Sequence, residues 1–335
     1  MNTYATVVLA AGNGTRMRST LPKVLHPLAG MPLLAHVLKA VEAIPTAPSF
    51  APLLSIRASH RPIVVLGYQA ERVQATFGDR CLYALQAEQL GTGHAVLAAK
   101  ETVDMLNPLP EMILVCYGDT PLISSEMLAR VLIEHQTHQA VVTFLTAFTE
   151  QPSDFGRVVR DSNGRVCEIV DAKRVAEEQK SIKEIGSGIY CFDCAWLWPS
   201  LQMLVRKTTG ESDLLDLISL AISQGRKIVT VSETFEATIE VNDRVQLAAA
   251  EQLLRRRILE RHMYAVEGVR IPERYFPHGE GNGGEIPRRI VMVKEVFPEK
   301  CLAEQNVAEE YGNQDCEQGN ALPILRLIRR STREG

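Results

Sequence analysis

The stretch Thr6-Val7-Val8-Leu9-Ala10-Ala11-Gly12-Asn13-Gly14-Thr15-Arg16-Met17, followed shortly by Leu21-Pro22-Lys23-Val24-Leu25, sets the architecture. From Ala5 to Ala11 the chain is apolar on both faces, the pattern of a central strand in a parallel sheet covered by helices on either side. Sheets of this kind bind ligands at the C-terminal ends of their strands. Gly12 and Gly14 remove the side chains that would keep an anion off the backbone, so N–H groups from about Ala11 to Arg16 can point at one phosphate. Arg16 and Lys23 then supply positive charge for a polyphosphate. A dinucleotide fingerprint needs a third glycine where Met17 stands, and a Walker loop closes on Gly-Lys-Ser/Thr; this loop is neither. Gly-x-Gly alone also reads as a plain strand-to-loop bend, and the Arg and Pro-Lys that follow weigh against that.

Outward from this loop, strands and helices alternate. Leu33 to Ile44 has helical spacing and is ended by Pro45, and the Pro-, Ser- and Ala-rich stretch from Pro45 to Arg61 reads as a surface insertion. Ile63 to Leu66 is a strand, Ala70 to Phe77 a helix and Leu82 to Leu85 a strand, which delivers the polar loop Gln86 to His94 and a helix from Ala95 to Val103. Met112 to Cys116 is a further strand ending in Tyr117-Gly118-Asp119, expected beside the first loop. Ser124 caps the next helix, and Ala140 to Phe148 is another strand. The alternation predicts an α/β fold with a mainly parallel, doubly wound sheet. After Pro152 the pattern changes to a hairpin of Arg157 to Arg160 and Arg165 to Val170, then a longer strand from Ile185 to Phe192. These pieces are expected to form an antiparallel lid beside the sheet, a wall for a second substrate. Leu214 to Ile222 reads as helix, Lys227 to Val231 as strand and Arg244 to Met263 as a long helix. The expected domains are 1–243, a helical arm over 244–268, and a tail over 269–335 with no assigned structure.

Composition narrows the function classes. With 335 residues and a net charge of −4, the chain has no global basic field for nucleic acid or an anionic membrane, so a phosphate ligand needs a local site. Arg255-Arg256-Arg257 is read as one solvated helix face. Seven scattered cysteines fit a reducing compartment, and the Cys191-x-x-Cys194 spacing, at a strand end and not at a helix start, is read as coincidence. No signal peptide or bilayer-spanning run is visible, and the expected location is cytoplasmic.

Asp119, a carboxylate at the end of a central strand facing a glycine phosphate loop, can place Mg²⁺ on a nucleoside triphosphate; alone, Asp119-Thr120-Pro121 also reads as a capped turn. With Arg16 and Lys23 over a leaving pyrophosphate, in-line attack on an α-phosphorus becomes feasible. If the nucleophile is itself a phosphate, ionised at pH 7, no general base is needed. His26, His36, His94 and His262 are read as structural or surface groups, and no nucleophile–histidine pair is visible.

Taken in order, Leu9 to Met17 with Leu21 to Leu25, Gln86 to Ala95, Tyr117-Gly118-Asp119-x-Pro121-Leu122, Phe155-Gly156-Arg157 and Glu240-Val241-Asn242-Asp243-Arg244 resemble the uridylyltransferase domain of the bifunctional N-acetylglucosamine-1-phosphate uridylyltransferase/glucosamine-1-phosphate acetyltransferase family, over about residues 5–265. The resemblance implies a nucleotidyltransferase of Rossmann-like architecture that joins UTP and N-acetylglucosamine 1-phosphate into UDP-N-acetylglucosamine and pyrophosphate. It implies that Leu9, Ala10, Gly12 and Lys23 hold UTP, with Ala11 and Gly14 in the same loop, and that Gln86, Gly91 and Thr92 read the uracil. Asp119 and Asn242 would hold Mg²⁺, although an Asn before a helix is first of all an N-cap. Tyr117, Gly118, Gly156, Asp171 and Gly186 would face the sugar.

Several sugar-side positions depart from the family. Asp171 stands where it has Glu, Gly186 where it has the Asn of Asn-Thr-Gly, and Ser212-Asp213 where it has Tyr-Tyr. Each change shortens or removes a group that could touch the sugar, at about 1–3 kcal/mol per lost hydrogen bond. The family's hexapeptide-repeat β-helix is not read beyond Gly268, so acetyl transfer, acetyl-coenzyme A and the trimer are not carried over. Beside the leading expectation stand the same reaction on glucose 1-phosphate or a related hexose, a non-catalytic nucleotide-binding module, and a cytidylyl- or guanylyltransferase.

Overall fold

The computed structural model describes residues 2–46, 56–58, 60–152, 155–207 and 212–265. The chain divides into two units, Met1–Arg257 and Ile258–Gly335. The second is described only as far as 265, so the tail expected over 269–335 lies outside the described residues.

In chain order, β1 (Asn2–Ala10) is followed by the short pair β2 (Pro27–Leu28) and β3 (Met31–Pro32), then α1 (Leu33–Glu42), β4 (Ile56–Ala58), β5 (Ile63–Leu66) and α2 (Ala70–Phe77). Next come β6 (Leu82–Leu85), α3 (Thr92–Ala98), α4 (Lys100–Asp104), β7 (Met112–Tyr117), α5 (Ser125–His138) and β8 (Val142–Phe148). The second half holds β9 (Arg157–Arg160), β10 (Val166–Val170), β11 (Glu184–Asp193), α6 (Cys194–Lys207), α7 (Leu214–Ser223), β12 (Ile228–Glu233) and α8 (Arg244–Ala265).

Among the described residues, ten strands form one sheet along the path β10-β9-β11-β7-β1-β5-β6, with β8 on β11, β12 on β8 and β4 on the start of β1. As the double-faced apolar run predicts, β1 is central and parallel to both β5 and β7. Val8 and Leu114 meet Leu34, Leu38 and Leu128 on one face. Val7 and Val115 meet Val96, Leu201 and Leu217 on the other. Alternate residues of each strand thus feed separate helical layers, which is why no polar face is left in the pattern.

Some expectations change. The antiparallel strands are not set beside the sheet as a lid but continue it, because β11 pairs with β7 through Tyr190 to Asp193. Its register on β8 then shifts between Gly186 and Tyr190, and Ile185 pairs with β9. The Pro45–Arg61 insertion contains β4, parallel to Asn2, Thr3 and Tyr4, while its residues 47–55 lie outside the described set. The helix after the Gln86 loop begins at Thr92, not at Ala95. Cys194 does open a helix, α6, yet burial raises the pKa of both the Cys191 and Cys194 thiols, which disfavours thiolate chemistry. In the arginine run, Arg255 pairs with Glu251 at 2.6 Å, whereas Arg257 donates to the Leu122 carbonyl at 2.6 Å and so is not simply solvated. No helix among the described residues is long and apolar enough to cross a membrane.

Candidate active site

The loop after β1 is shaped by one glycine and opened by the other. Gly14 has φ +60, and a Cβ there would lie 2.7 Å from the Lys23 Cβ, so its bareness lets the Lys23 turn close against the loop. A Cβ on Gly12 would meet nothing within 4 Å. Gly12 instead faces a cleft of about 340 Å³, lined also by Leu9, Ala10, Ala11 and Lys23. Arg244, at the start of α8, donates to the Met17 and Arg18 carbonyls at 3.0 Å each and pins the turn Thr15–Met17. Arg16 sits on that turn, exposed and outside the cleft lining.

Gly118 N–H donates to the Leu9 carbonyl at 2.9 Å, which brings the residue after it, Asp119, beside the end of β1. The Lys23 ammonium donates to Asp119 Oδ2 and, at 2.9 Å, to Asn242 Oδ1. The lysine expected over pyrophosphate therefore stands between the two expected metal ligands. Val241 N–H donates to the Asp119 carbonyl at 2.8 Å and ties the two loops together. Asn242 is not the cap of α8: Asp243 Oδ1 accepts from Val245 N at 2.9 Å and Gln246 N at 2.8 Å, leaving the Asn242 side chain free for the cleft. Asn242 Nδ2 donates to Glu240 Oε2 at 3.3 Å. Glu240 also lines the cleft, and its pKa is raised by burial first and by the Asp119 charge second; Lys23, the Asn242 hydrogen bond and Arg16 oppose this. Asp119 is 7% exposed, and its Oδ1 is buried without a partner. Two oxygens converging on one cation, beside an unmatched carboxylate oxygen, form a donor set that fits a hard ion such as Mg²⁺.

The Gln86 loop forms the adjoining wall. Gln86 is buried, and its amide donates to the Gly91 carbonyl and to His94 Nδ1, both at 3.1 Å. Gly91 has φ +93, and a Cβ there would lie 2.4 Å from the Ser212 carbonyl oxygen. Backbone bonds from Gly93 N to Ser212 O at 2.8 Å and from Ser212 N to Leu90 O at 2.9 Å clamp the loop. Thr92 Oγ1 accepts from Leu214 N at 3.0 Å and donates to Asp213 Oδ1 at 3.3 Å. Ser212-Asp213, expected on the sugar side, thus buttresses the nucleotide loop. Gln89, which motif matching did not single out, lines the cleft and donates to the Ala11 carbonyl at 3.1 Å.

The expected sugar positions divide. Tyr117 lines the cleft, and its ring lies so close to β11 that a Cβ on Gly188 would sit 2.4 Å from it. Burial holds the Tyr117 hydroxyl well above its usual pKa, with Thr92 and Tyr190 as hydrogen-bond partners. Gly118 serves the backbone bond to Leu9. Gly156, Asp171 and Gly186 lie outside the cleft lining, gathered around β9, β10 and β11, where Gly186 N–H donates to the Gly156 carbonyl at 3.1 Å. A Cβ on Gly156 would meet the Val170 carbonyl at 3.4 Å, next to Asp171. Glu240 and Gly188 were not singled out from sequence; a carboxylate two residues before a candidate ligand was the available signal for the first.

Comparison with known proteins agrees with this fold. The family model described as the MobA-like NTP transferase domain matches residues 6–209. The chain is 42% identical over 270 residues to the bifunctional protein GlmU of Streptococcus suis, a match covering 80% of this chain and 55% of that protein. It is 38% identical over 330 residues to the bifunctional protein GlmU of a Geobacillus strain, covering 96% of this chain and 67% of that one. The chain thus spans little more than half the length of the streptococcal relative. In solved structures, a Bacillus anthracis protein described as a glucose-1-phosphate thymidylyltransferase, crystallised with a sucrose, superposes with a TM-score of 0.58 at 16% identity, covering 75% of this chain and 95% of that one. That likeness carries the nucleotidyltransferase fold alone.

Proposed function

The chain belongs to the MobA-like NTP transferase family, and from that premise we propose that it is an Mg²⁺-dependent uridylyltransferase. It joins UTP and N-acetylglucosamine 1-phosphate into UDP-N-acetylglucosamine and pyrophosphate. The observation that carries the reading is the convergence of Lys23, Asp119 and Asn242 beneath the glycine loop. Asp119 and Asn242 would hold Mg²⁺, which when bound neutralises charge on the phosphate oxygens. Backbone N–H groups of the Ala11 to Arg16 loop receive the polyphosphate, with Lys23 and Arg16 adding charge on the leaving pyrophosphate. Gln86, Gly91 and Thr92 read the base from the clamped loop. Tyr117, Gly118, Gly156, Asp171 and Gly186 take the sugar side. The attacking group is the sugar phosphate, already ionised at neutral pH, so the step needs no general base. Residues 1–243 form the catalytic domain and 244–268 a helical arm, and the protein works in the cytoplasm. The GlmU relatives at 42% and 38% identity support a sugar-nucleotidyltransferase, and the choice of UTP and N-acetylglucosamine 1-phosphate rests on the motif resemblance.

A second reading keeps the reaction and changes the sugar to glucose 1-phosphate or a related hexose, favoured by Gly186, which stands bare where the family has an asparagine. The test is pyrophosphate release with UTP, Mg²⁺ and each sugar phosphate, beside an Asp119→Ala control. Release favouring the N-acetyl sugar and lost in the control supports the first reading; preference for glucose 1-phosphate selects the second. No release with either sugar while UTP still binds makes the chain a non-catalytic nucleotide module.

A further inference from the structure

We propose that Glu240 is a positioning residue that turns the Asn242 amide so that its oxygen faces the cation position. This rests on the metal reading above. Only the oxygen of a primary amide can ligate a hard cation, since its nitrogen has no free lone pair to give. The two ends of the group are nearly equal in size, so hydrogen bonding alone decides which end points inward. Asn242 Oδ1 accepts from the Lys23 ammonium at 2.9 Å, and Nδ2 donates to Glu240 Oε2 at 3.3 Å. A flipped amide would set its NH₂ against the Lys23 ammonium, which cannot accept, and so lose the hydrogen bond that Asn242 Oδ1 makes there while giving up the donation to Glu240 Oε2.

The backbone leaves little else to vary. Asn242 N–H donates to Gln246 Oε1 at 2.7 Å, Val241 N–H to the Asp119 carbonyl at 2.8 Å, and Asp243 caps the helix that follows. The rotation of the Asn242 side chain is the remaining freedom, and it is gripped at both ends. Were a cation held by Asp119 and Asn242, Lys23 would have to leave Oδ1, and one grip would be gone. Glu240 is the grip that persists, in the manner of groups that orient metal ligands from behind.

The experiment reads Mn²⁺ binding to the full chain without nucleotide, which would itself take up the ion, by loss of the free-ion electron paramagnetic resonance signal. Glu240→Ala is expected to weaken Mn²⁺ about 10-fold. Glu240→Gln, whose carbonyl still accepts from Asn242 Nδ2 at nearly the same size, is expected to stay within about threefold of the parent. Mn²⁺ affinity unchanged in the alanine variant overturns the inference. So does a glutamine variant as weak as the alanine one, which would make charge or direct ligation the cause. Asp119→Asn separates the two levels: lost binding there with intact binding in Glu240→Ala sinks only the positioning role. Intact binding in Asp119→Asn sinks the metal reading as well.

Discussion

Where β1 lies between β5 and β7, Lys23 after β1 and Asp119 after β7 meet Glu240 and Asn242, which come from the segment between β12 and α8. Where β9, β10 and β11 pair antiparallel, the corresponding positions are Gly156, Gly186 and Gly188. In the first region the backbone is fixed so that side chains can meet around one cation. In the second, side chains are removed so that backbones and neighbouring rings can approach. Substitution in the parallel half should therefore damage chemistry before fold, and substitution in the antiparallel half should act through shape.

The largest expected effect tests the first half of that contrast. Asp119→Asn keeps size and removes the charge that pairs with Lys23 and that, in the proposed reaction, would hold the metal. Pyrophosphate release should fall at least 10³-fold, a loss of about 4 kcal/mol in transition-state stabilisation, with thermal unfolding near that of the parent. A fall below tenfold would break the comparison, because the parallel half would then not be the reaction centre.

The next effect concerns stability, at the seam where α5 covers β8, the strand antiparallel to β11. His135 in α5 is buried, bonds Thr143 Oγ1 of β8 at 3.0 Å, and has a pKa pushed down by burial to about 4. It folds as the neutral imidazole, whereas the unfolded chain takes up the proton near 6.5. Stability is thus complete above about pH 6.5 and falls as pH drops, with about 3 kcal/mol lost by pH 4. Denaturant unfolding of parent and His135→Gln at pH 7.5 and pH 4 isolates this group: the gap between the two proteins should shift by that amount in favour of the variant. A gap independent of pH would remove His135 as the cause.

These two halves were not equally legible in the sequence. The parallel half follows from local patterning, since apolar runs on both faces, glycines after the first strand and Asp119 after another each carry their own meaning. The antiparallel half depends on pairing between distant segments. That β11 continues the sheet from β7, and does not form a separate lid, is decided by Tyr190 lying opposite Val115, a contact no local pattern announces. Within the site, Lys23, Asp119 and the Gln86 loop were readable, but the partner of Lys23 was not. Asn242 looked like a helix cap until Asp243 proved to take that place, and Ser212-Asp213 supports a loop far away in sequence. Tertiary hydrogen bonds of this kind leave no periodic trace.

Gly91→Ala blurs the contrast on purpose, because it imposes a shape constraint on the parallel half. The position combines φ +93 with a Cβ 2.4 Å from the Ser212 carbonyl, backbone that cannot swing aside. A cost of about 2 kcal/mol is expected, expressed as loss of the loop clamp. KM for UTP should rise about 10-fold or more while kcat changes less, since base reading is lost and the Lys23–Asp119–Asn242 cluster is untouched. Equal falls in kcat and kcat/KM would mean that the loop also acts in the transition state.

Gly186→Ala should do least and sharpens the comparison most. A Cβ there would lie 3.2 Å from Ile169 Cδ1 and 3.9 Å from Phe144 Cε2. The first is the far end of a flexible side chain, which can yield a few tenths of an ångström, so the stability change should stay below about 1 kcal/mol. Gly188, two positions along the same strand, faces the Tyr117 ring with a Cβ that would come within 2.4 Å, so tolerance at Gly186 cannot be a general property of β11. If the antiparallel half works by shape on the sugar side, Gly186→Ala leaves KM for UTP unchanged and alters the ratio of turnover between N-acetylglucosamine 1-phosphate and glucose 1-phosphate by a few-fold, about 1 kcal/mol or less. A change in UTP binding with no change in that ratio would place Gly186 on the nucleotide side, and the division between a charged half and a shaped half would have to be redrawn.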